Sequence, residues 1–341
     1  MTDSTRIGVV GAGSWGTALS RLLAEQGRTV DLWAFEPEVC AAIKERRENT
    51  LFLPGVPLPD SIHPSTRLED VVADKDEIVL VVPTHVLRQT VSRFAPLLKP
   101  DCLIISASKG IENDSLQFVH QILDETLNRP HPFAALSGPT FAAEIARKTP
   151  SAIVAAAETE ELASRVKALF ESSFLKVFTS NDVLGVELGG ALKNVIAIAT
   201  GISDGLGLGL NTRAALINRG LVEMTRIGTA LGARPETFSG LSGMGDLVLT
   251  CTGDLSRNRT VGLKLAQGES LENITGGMKM VAEGVHTVVS AYKLKENLNI
   301  QAAIIEETYQ VLHRGKSPQA ALQDLMNVEI GSEFSGIKGL Q

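Results

Sequence analysis

Residues 189–201, GGALKNVIAIATG, hold a single charged side chain, Lys193. The stretch has no proline, carries glycine at both ends and reads as a buried helix. An ammonium there loses hydration unless a neighbouring group compensates. On helical spacing Lys193 shares a face with Gly189, Gly190, Ala197, Thr200 and Asp204, all small or polar. Leu192, Val195, Ile196, Ala199 and Ile202 supply apolar surface on the other faces. The lysine face has room for another helix bearing an acid, or for a substrate, and the pattern by itself fits both. A second run, GLSGMGDLVLTCTGDLSRNR, gathers Asp246, Thr250, Ser256, Arg257 and Asn258, with Gly240, Gly243 and Gly245 suited to tight turning. Arg257 offers a planar fork that matches phosphate, and Asn258 adds an amide donor. Ser256 can cap a helix starting at this point, whose N–H end also favours an anion. The plainer alternative is a capped helix with surface arginines.

A third constellation opens the chain. RIGVVGAGSWGTALSRLLAEQG reads as strand, Gly11-x-Gly13-x-x-Gly16, then helix. Gly11 permits the tight turn, Gly13 lets backbone approach a pyrophosphate, and Gly16 allows close helix–strand packing. The helix N-terminus presents unpaired N–H groups to the phosphates. Glu36 lies 20 residues past Gly16 at the end of the next strand, where an acid hydrogen-bonds the ribose 2′-hydroxyl of NAD. An acid there repels the extra phosphate of NADP, and no Arg or Lys stands beside it, so NAD(H) is favoured over NADP(H). Phe35 either stacks on adenine or packs in the crevice. Two later strand ends face the same crevice: VVPTH brings Pro83, Thr84 and His85, read as polar wall, and ISASKG brings Lys109, whose ammonium suits anionic ligands.

Elements that position these residues follow from the texture of the chain. Continuous β-rich runs at 7–10, 30–33, 78–82, 103–106, 133–136 and 152–157 alternate with helix-like spacing at 17–26 and 116–127. That pattern predicts an α/β Rossmann-like N-terminal domain with a mostly parallel sheet covered on both faces. Beyond about residue 180, segments near 182–203, 211–231, 258–267, 280–295, 300–313 and 317–326 read as helices. The expected organisation is a dinucleotide-binding domain over 1–180, an all-α substrate and catalytic domain over 181–330, and a loose Gly/Ser-rich tail over 331–341. A formal net charge of −7 argues against nucleic acid or an anionic membrane surface as partner. Cys40, Cys102 and Cys251 form no metal-ligand spacing and fit reduced thiols. No unbroken apolar run reaches the roughly 18 residues of a membrane span, and the first residues lack a signal-peptide pattern. A cytoplasmic protein without membrane insertion and without a metal is the expectation.

The quoted blocks together resemble the NAD(P)-dependent sn-glycerol-3-phosphate dehydrogenases, bacterial type, over nearly the whole chain. The resemblance rests on GAGSWGTAL, FLPGVPLP, VVPTH, SASKGIE, LSGPTFAAEIA, ELGGALKNVIAIATGISDGLGLGLNTRAALINRGL, GLSGMGDLVLTCTGDLSRNR and VAEGV. It implies reversible reduction of dihydroxyacetone phosphate to sn-glycerol 3-phosphate, the backbone unit of glycerophospholipids, by a homodimer. It implies Lys193 as catalytic lysine, with Asp246 and Lys109 in the active site. Lys109, Gly138, Thr140, Lys193, Asp246, Ser256, Arg257 and Asn258 match substrate positions. Ser14, Trp15, Lys109, Ala142, Arg257, Val281 and Glu283 match cofactor positions beside Gly11, Gly13, Gly16, Phe35 and Glu36. Ala34-Phe35-Glu36 departs from bacterial members that carry Arg or His after LW. A 3-hydroxyacid or 6-phosphogluconate type dehydrogenase, or a non-catalytic NAD-sensing protein, are the competing readings.

Overall fold

The computed structural model describes residues 6–329 and 331–337. These fall into two compact units. One holds residues up to 108 with 119–136 and 140–183, and the other holds 109–118, 137–139 and the residues from 184 on.

Strands of the first unit are β1 (Arg6–Val10), β2 (Thr29–Trp33), β3 (Glu48–Asn49), β4 (Leu53–Pro57), β5 (Ile62–Ser65), β6 (Glu77–Leu80), β7 (Leu103–Ser106), β8 (Phe133–Ser137), β9 (Ser151–Ala157) and β10 (Leu175–Ser180). Its helices are α1 (Ser14–Glu25), α2 (Pro37–Arg46), α3 (Leu68–Val72), α4 (Thr84–Phe94), α5 (Val119–Thr126), α6 (Ala142–Ala146) and α7 (Glu160–Phe170). The main sheet runs in the order β10-β9-β8-β7-β6-β1-β2-β5, while β3 and β4 form a separate hairpin. β1 pairs in parallel with both β2 and β6. Successive strand residues feed opposite cores. Ile7 and Val9 join a cluster with Leu19 and Leu23 of α1, whereas Val10, Ile78 and Leu80 join one with Leu87 and Val91 of α4. Burial on both faces is why these strands read as unbroken apolar runs. The chain leaves β1 in one direction toward β2 and β5, then returns to β6 on the other side. Strand order therefore reverses between β1 and β6, and ligands of open α/β sheets bind beyond the carboxyl ends of strands at such a point.

The second unit is helical: α8 (Val183–Gly205), α9 (Gly209–Ala230), α10 (Pro235–Ser239), α11 (Asp246–Thr252), α12 (Arg257–Ala266), α13 (Leu271–Gly276), α14 (Glu283–Asn297), α15 (Ala303–His313) and α16 (Pro318–Asn327). α8 is its axis. Leu188, Leu192, Val195, Ile196 and Ile198 pack with Met224, Ile227, Phe238, Leu247, Val261 and Val288. By length and composition α8 is long and apolar enough to span a bilayer, although Glu187, Lys193 and Asn194 break it into shorter apolar runs. In this fold 78% of its most apolar window is buried, so other helices of the unit take the place of lipid.

α12 meets α8 backbone to backbone. A Cβ on Gly262 of α12 would collide with the Ile198 carbonyl oxygen and come 2.7 Å from the Ile202 nitrogen. Neither is a flexible side-chain end, so Gly262→Ala must push α12 away from α8. The expected loss is about 1–3 kcal/mol, the usual cost of overpacking, read as a lower midpoint in denaturant unfolding.

Residues 331–337 make defined contacts with the helical unit. Arg226 donates from Nε to the Ser335 carbonyl at 2.6 Å and from Nη1 to the Gln301 carbonyl at 3.1 Å, and Ile337 is buried. A buried guanidinium that needs acceptors anchors residues whose Gly/Ser composition suggested none. Residues 338–341 of the expected tail lie outside the described residues.

Candidate active site

In the second unit Lys193 sits in mid-α8, 6% exposed, pointing at Asp246. Asp246, 1% exposed, opens α11 directly after a wide π-helical turn, Leu241–Gly245. Glycine makes that approach possible. A Cβ on Gly189 would lie 2.6 Å from the Ser242 carbonyl oxygen, so α8 rests on the turn that presents the acid. One carboxylate oxygen of Asp246 accepts from Lys193 Nζ, and the other accepts from Lys109 Nζ at 2.7 Å. Lys193 also donates to Thr250 Oγ1 at 2.9 Å, one helical turn beyond Asp246. Lys109 donates further to the Gly138 carbonyl at 3.2 Å, and Gly138 holds φ +150, which favours glycine.

Two ammoniums thus share one buried carboxylate. Burial drives the Lys193 pKa down to about 7, Asp246 opposes the fall, and Lys109 adds to it. A lysine so tuned exchanges its proton near neutrality, as a general acid or base must. The helical pattern left an ion pair and a catalytic group as alternatives for Lys193. In the fold the ion pair exists, and it holds the pKa near 7 against the larger fall that burial alone would cause.

α12 begins where SRN predicts a helix start. Ser256 Oγ caps it by accepting the Arg259 N–H at 3.2 Å. Asn258 Nδ2 donates to Asn194 Oδ1 at 2.8 Å, and its Oδ1 accepts the Gly284 N–H at 3.0 Å. That chain fixes the Asn258 amide beside the residue following Lys193. Arg257 Nη1 donates to the Val281 carbonyl at 2.8 Å; burial lowers its pKa and Glu283 opposes the fall. Arg257, Val281 and Glu283 are therefore neighbours. Asn194 has no sequence-derived role and Thr250 only a place among the polar residues of its block; in the fold Asn194 orients Asn258 and Thr250 helps orient Lys193. Adjacency to Lys193 and the i+4 spacing from Asp246 were the available signals.

In the first unit Gly11, Gly13, Ser14, Trp15 and Gly16 form the turn from β1 into α1. Gly11 has φ +119, and a Cβ on it would lie 2.8 Å from the Val81 carbonyl oxygen. A Cβ on Gly16 would strike the Gly11 carbonyl, whereas one on Gly13 would meet nothing within 4 Å. Two glycines are demanded by packing, and the third leaves bare backbone at a helix N-terminus. Asn49, fully buried, donates to the Ala12 carbonyl and to Thr17 Oγ1, both at 2.8 Å, and so braces the turn from outside the motif. Sequence reading passed over it because nothing near it in the chain shows the distant loop. Glu36 occupies the N-cap position of α2 without a capping bond from its carboxylate. Phe35 is 70% exposed, with its ring edge-on to Trp33. Trp15 Nε1 is buried with no hydrogen-bond partner. These residues fit a dinucleotide: bare N–H groups for pyrophosphate, a carboxylate for ribose and an exposed ring for the base. Thr140 and Ala142 belong to this unit at the start of α6, and His85 is exposed at the start of α4.

A turn shaped for a dinucleotide and a buried lysine poised for proton exchange define an oxidoreductase of the nicotinamide-dependent class. Family models agree with that class and narrow it. The model for the NAD-dependent glycerol-3-phosphate dehydrogenase N-terminus matches residues 6–163, and the model for its C-terminus matches 182–323. The chain belongs to the NAD-dependent glycerol-3-phosphate dehydrogenase family. It is 52% identical to the glycerol-3-phosphate dehydrogenase (NAD(P)+) of Geobacter sulfurreducens over 97% of this chain and 99% of that one. It is 54% identical to the protein of the same name from Geobacter metallireducens, over 94% and 96%. The crystal structure of glycerol-3-phosphate dehydrogenase from Coxiella burnetii superposes with a TM-score of 0.92 at 35% identity, covering 95% of this chain and 99% of that one.

Proposed function

We propose that this protein reduces dihydroxyacetone phosphate to sn-glycerol 3-phosphate, reversibly, with Lys193 as the general acid and base. The observation that carries the reading is Lys193 itself, buried, aimed at Asp246 and Thr250, and brought to a pKa of about 7 in a chain of this family. NAD(H), when bound, supplies or accepts the hydride at the substrate's central carbon. Protonated Lys193 hydrogen-bonds the ketone oxygen and gives it a proton as alkoxide character develops. In the oxidising direction neutral Lys193 takes the hydroxyl proton. Lys109 and Asp246 hold the proton-exchanging group in place and set its charge. Arg257 and Asn258 grip the phosphate, assisted by Ser256 and the N-terminus of α12, so remote binding orients the reacting carbon. Gly138 and Thr140 complete the substrate contacts.

In the first unit Gly11, Gly13, Ser14, Trp15, Gly16, Phe35, Glu36 and Ala142 are assigned to the cofactor; the family resemblance gives Lys109, Arg257, Val281 and Glu283 a cofactor role as well. Glu36 makes NADH the preferred reductant. The protein acts in the cytoplasm as a homodimer and supplies the glycerol phosphate backbone of membrane lipids.

The deciding assay is oxidation of NADH with dihydroxyacetone phosphate as the sole added substrate. Turnover is expected, with kcat/KM higher for NADH than for NADPH. Binding of NADH without turnover would point to a sensor instead. A preference for NADPH would refute the role given to Glu36 and leave that of Lys193 standing.

A further inference from the structure

α8 carries Lys193 and Asn194, and α12 carries Arg257 and Asn258 in its first turn. The two helices touch through glycine. A Cβ on Gly201 would strike the Arg259 carbonyl, one on Gly205 would lie 2.9 Å from the Leu263 carbonyl oxygen, and Gly262 rests on Ile198. Small-residue contact brings the backbones close, and polar ties add to the hold on the register: Asn258 to Asn194 beside Lys193, and Arg259 to Asp204 farther along the seam.

Arg259 is tied three ways. Its N–H donates to the capping Ser256 Oγ, its carbonyl rests on Gly201, and its Nε donates to Asp204 Oδ2 at 2.8 Å. Asp204 lies 11 residues beyond Lys193 on α8, about three turns along and on the same face. Its other oxygen accepts from Arg213 of α9 at 2.7 Å, and its side chain is only 7% exposed. Arg259 also reaches Asp254 at 3.1 Å, but that acid is fully in solvent and screened.

We infer that Asp204 is a positioning residue that locks α12 to α8 through Arg259, and so sets the distance between Lys193 and the phosphate-gripping pair Arg257 and Asn258. The inference rests on the phosphate role proposed for that pair. Without the Asp204 carboxylate the nearly buried Arg259 loses its sheltered acceptor, and the first turn of α12 shifts along the glycine seam. Lys193, more than two turns away on the rigid α8, keeps Asp246 and Thr250. The defect then falls on substrate holding.

The test compares Asp204→Asn, Arg259→Gln, the double variant and Arg257→Ala, each verified as folded. The KM for dihydroxyacetone phosphate and the inhibition constant of inorganic phosphate are measured beside kcat. Asp204→Asn and Arg259→Gln are each expected to raise both constants about tenfold or more, with kcat within about threefold of wild type. The double variant is expected to be no worse than the weaker single, because both remove one contact. Both constants within about twofold of wild type in the two folded single variants, with Arg257→Ala raising them, would overturn the clamp alone. Unchanged constants in Arg257→Ala would overturn the phosphate reading, and the clamp with it.

Discussion

Lys193→Met is expected to cut kcat in both directions by about 10²-fold or more, the scale of general acid catalysis, while the protein folds and still binds NADH. Methionine retains most of the side-chain volume, so α8 stays packed, and Asp246 keeps Lys109 as its partner at 2.7 Å. A loss of that size corresponds to about 2.7 kcal/mol of transition-state stabilisation. The wild-type pH profile tests the same group. With a pKa of about 7, Lys193 is protonated below neutrality and neutral above it. Ketone reduction should therefore fall as pH rises through about 7, and alcohol oxidation should rise over the same interval. In Lys193→Met both limbs should vanish. Steady-state rates across pH check each point, and near-normal kcat in the variant would sink the assignment.

Asp246→Ala carries the second large effect, on stability and on pH together. Asp246 holds two ammoniums with its side chain 1% exposed. Its removal leaves Lys193 and Lys109 facing each other with no counter-charge, and breaking a buried pair in this way costs about 3–5 kcal/mol. The unfolding midpoint in denaturant should fall accordingly. Asp246 also opposes the burial that depresses Lys193, so its loss lowers the lysine pKa further. At neutral pH less of the acid form remains, and the descending limb of ketone reduction moves to lower pH. Asp246→Asn keeps the shape but not the charge. It should lose less stability and show the same direction of pH shift. An unmoved limb in both variants would mean that Asp246 does not govern the proton on Lys193.

Parts of this architecture were legible because they are local. The Gly11-x-Gly13-x-x-Gly16 turn needs only its own backbone and the flanking strand and helix, and its spacing announces both. Buried strands such as β6 and β7 announce themselves by unbroken apolar runs. β10 did not, since it is an edge strand where exposed Lys176 and Phe178 alternate with buried Leu175 and Val177. β5 hid behind His63 and Pro64, tolerable at the opposite edge, where one side of the ladder is unpaired. α11 is hard to read because it is a two-turn helix entered through a π-helical turn and flanked by glycines.

By itself the sequence determined which chemistry was available. A dinucleotide turn, an acid for ribose, a lone lysine in an apolar helix and a capped Ser256-Arg257-Asn258 start can all be read along one stretch of chain. Residue identity and helical or strand spacing are short-range properties. Only the tertiary structure decided what Lys193 faces. Asp246 and Thr250 reach it from 53 and 57 residues away, and Lys109, 84 residues away, shares the same carboxylate, through glycine contacts that let helices approach closely. The pKa of about 7 belongs to that assembly. Desolvation and Coulomb energy depend on distance in space and on the exclusion of water, and neither is a property of position along the chain.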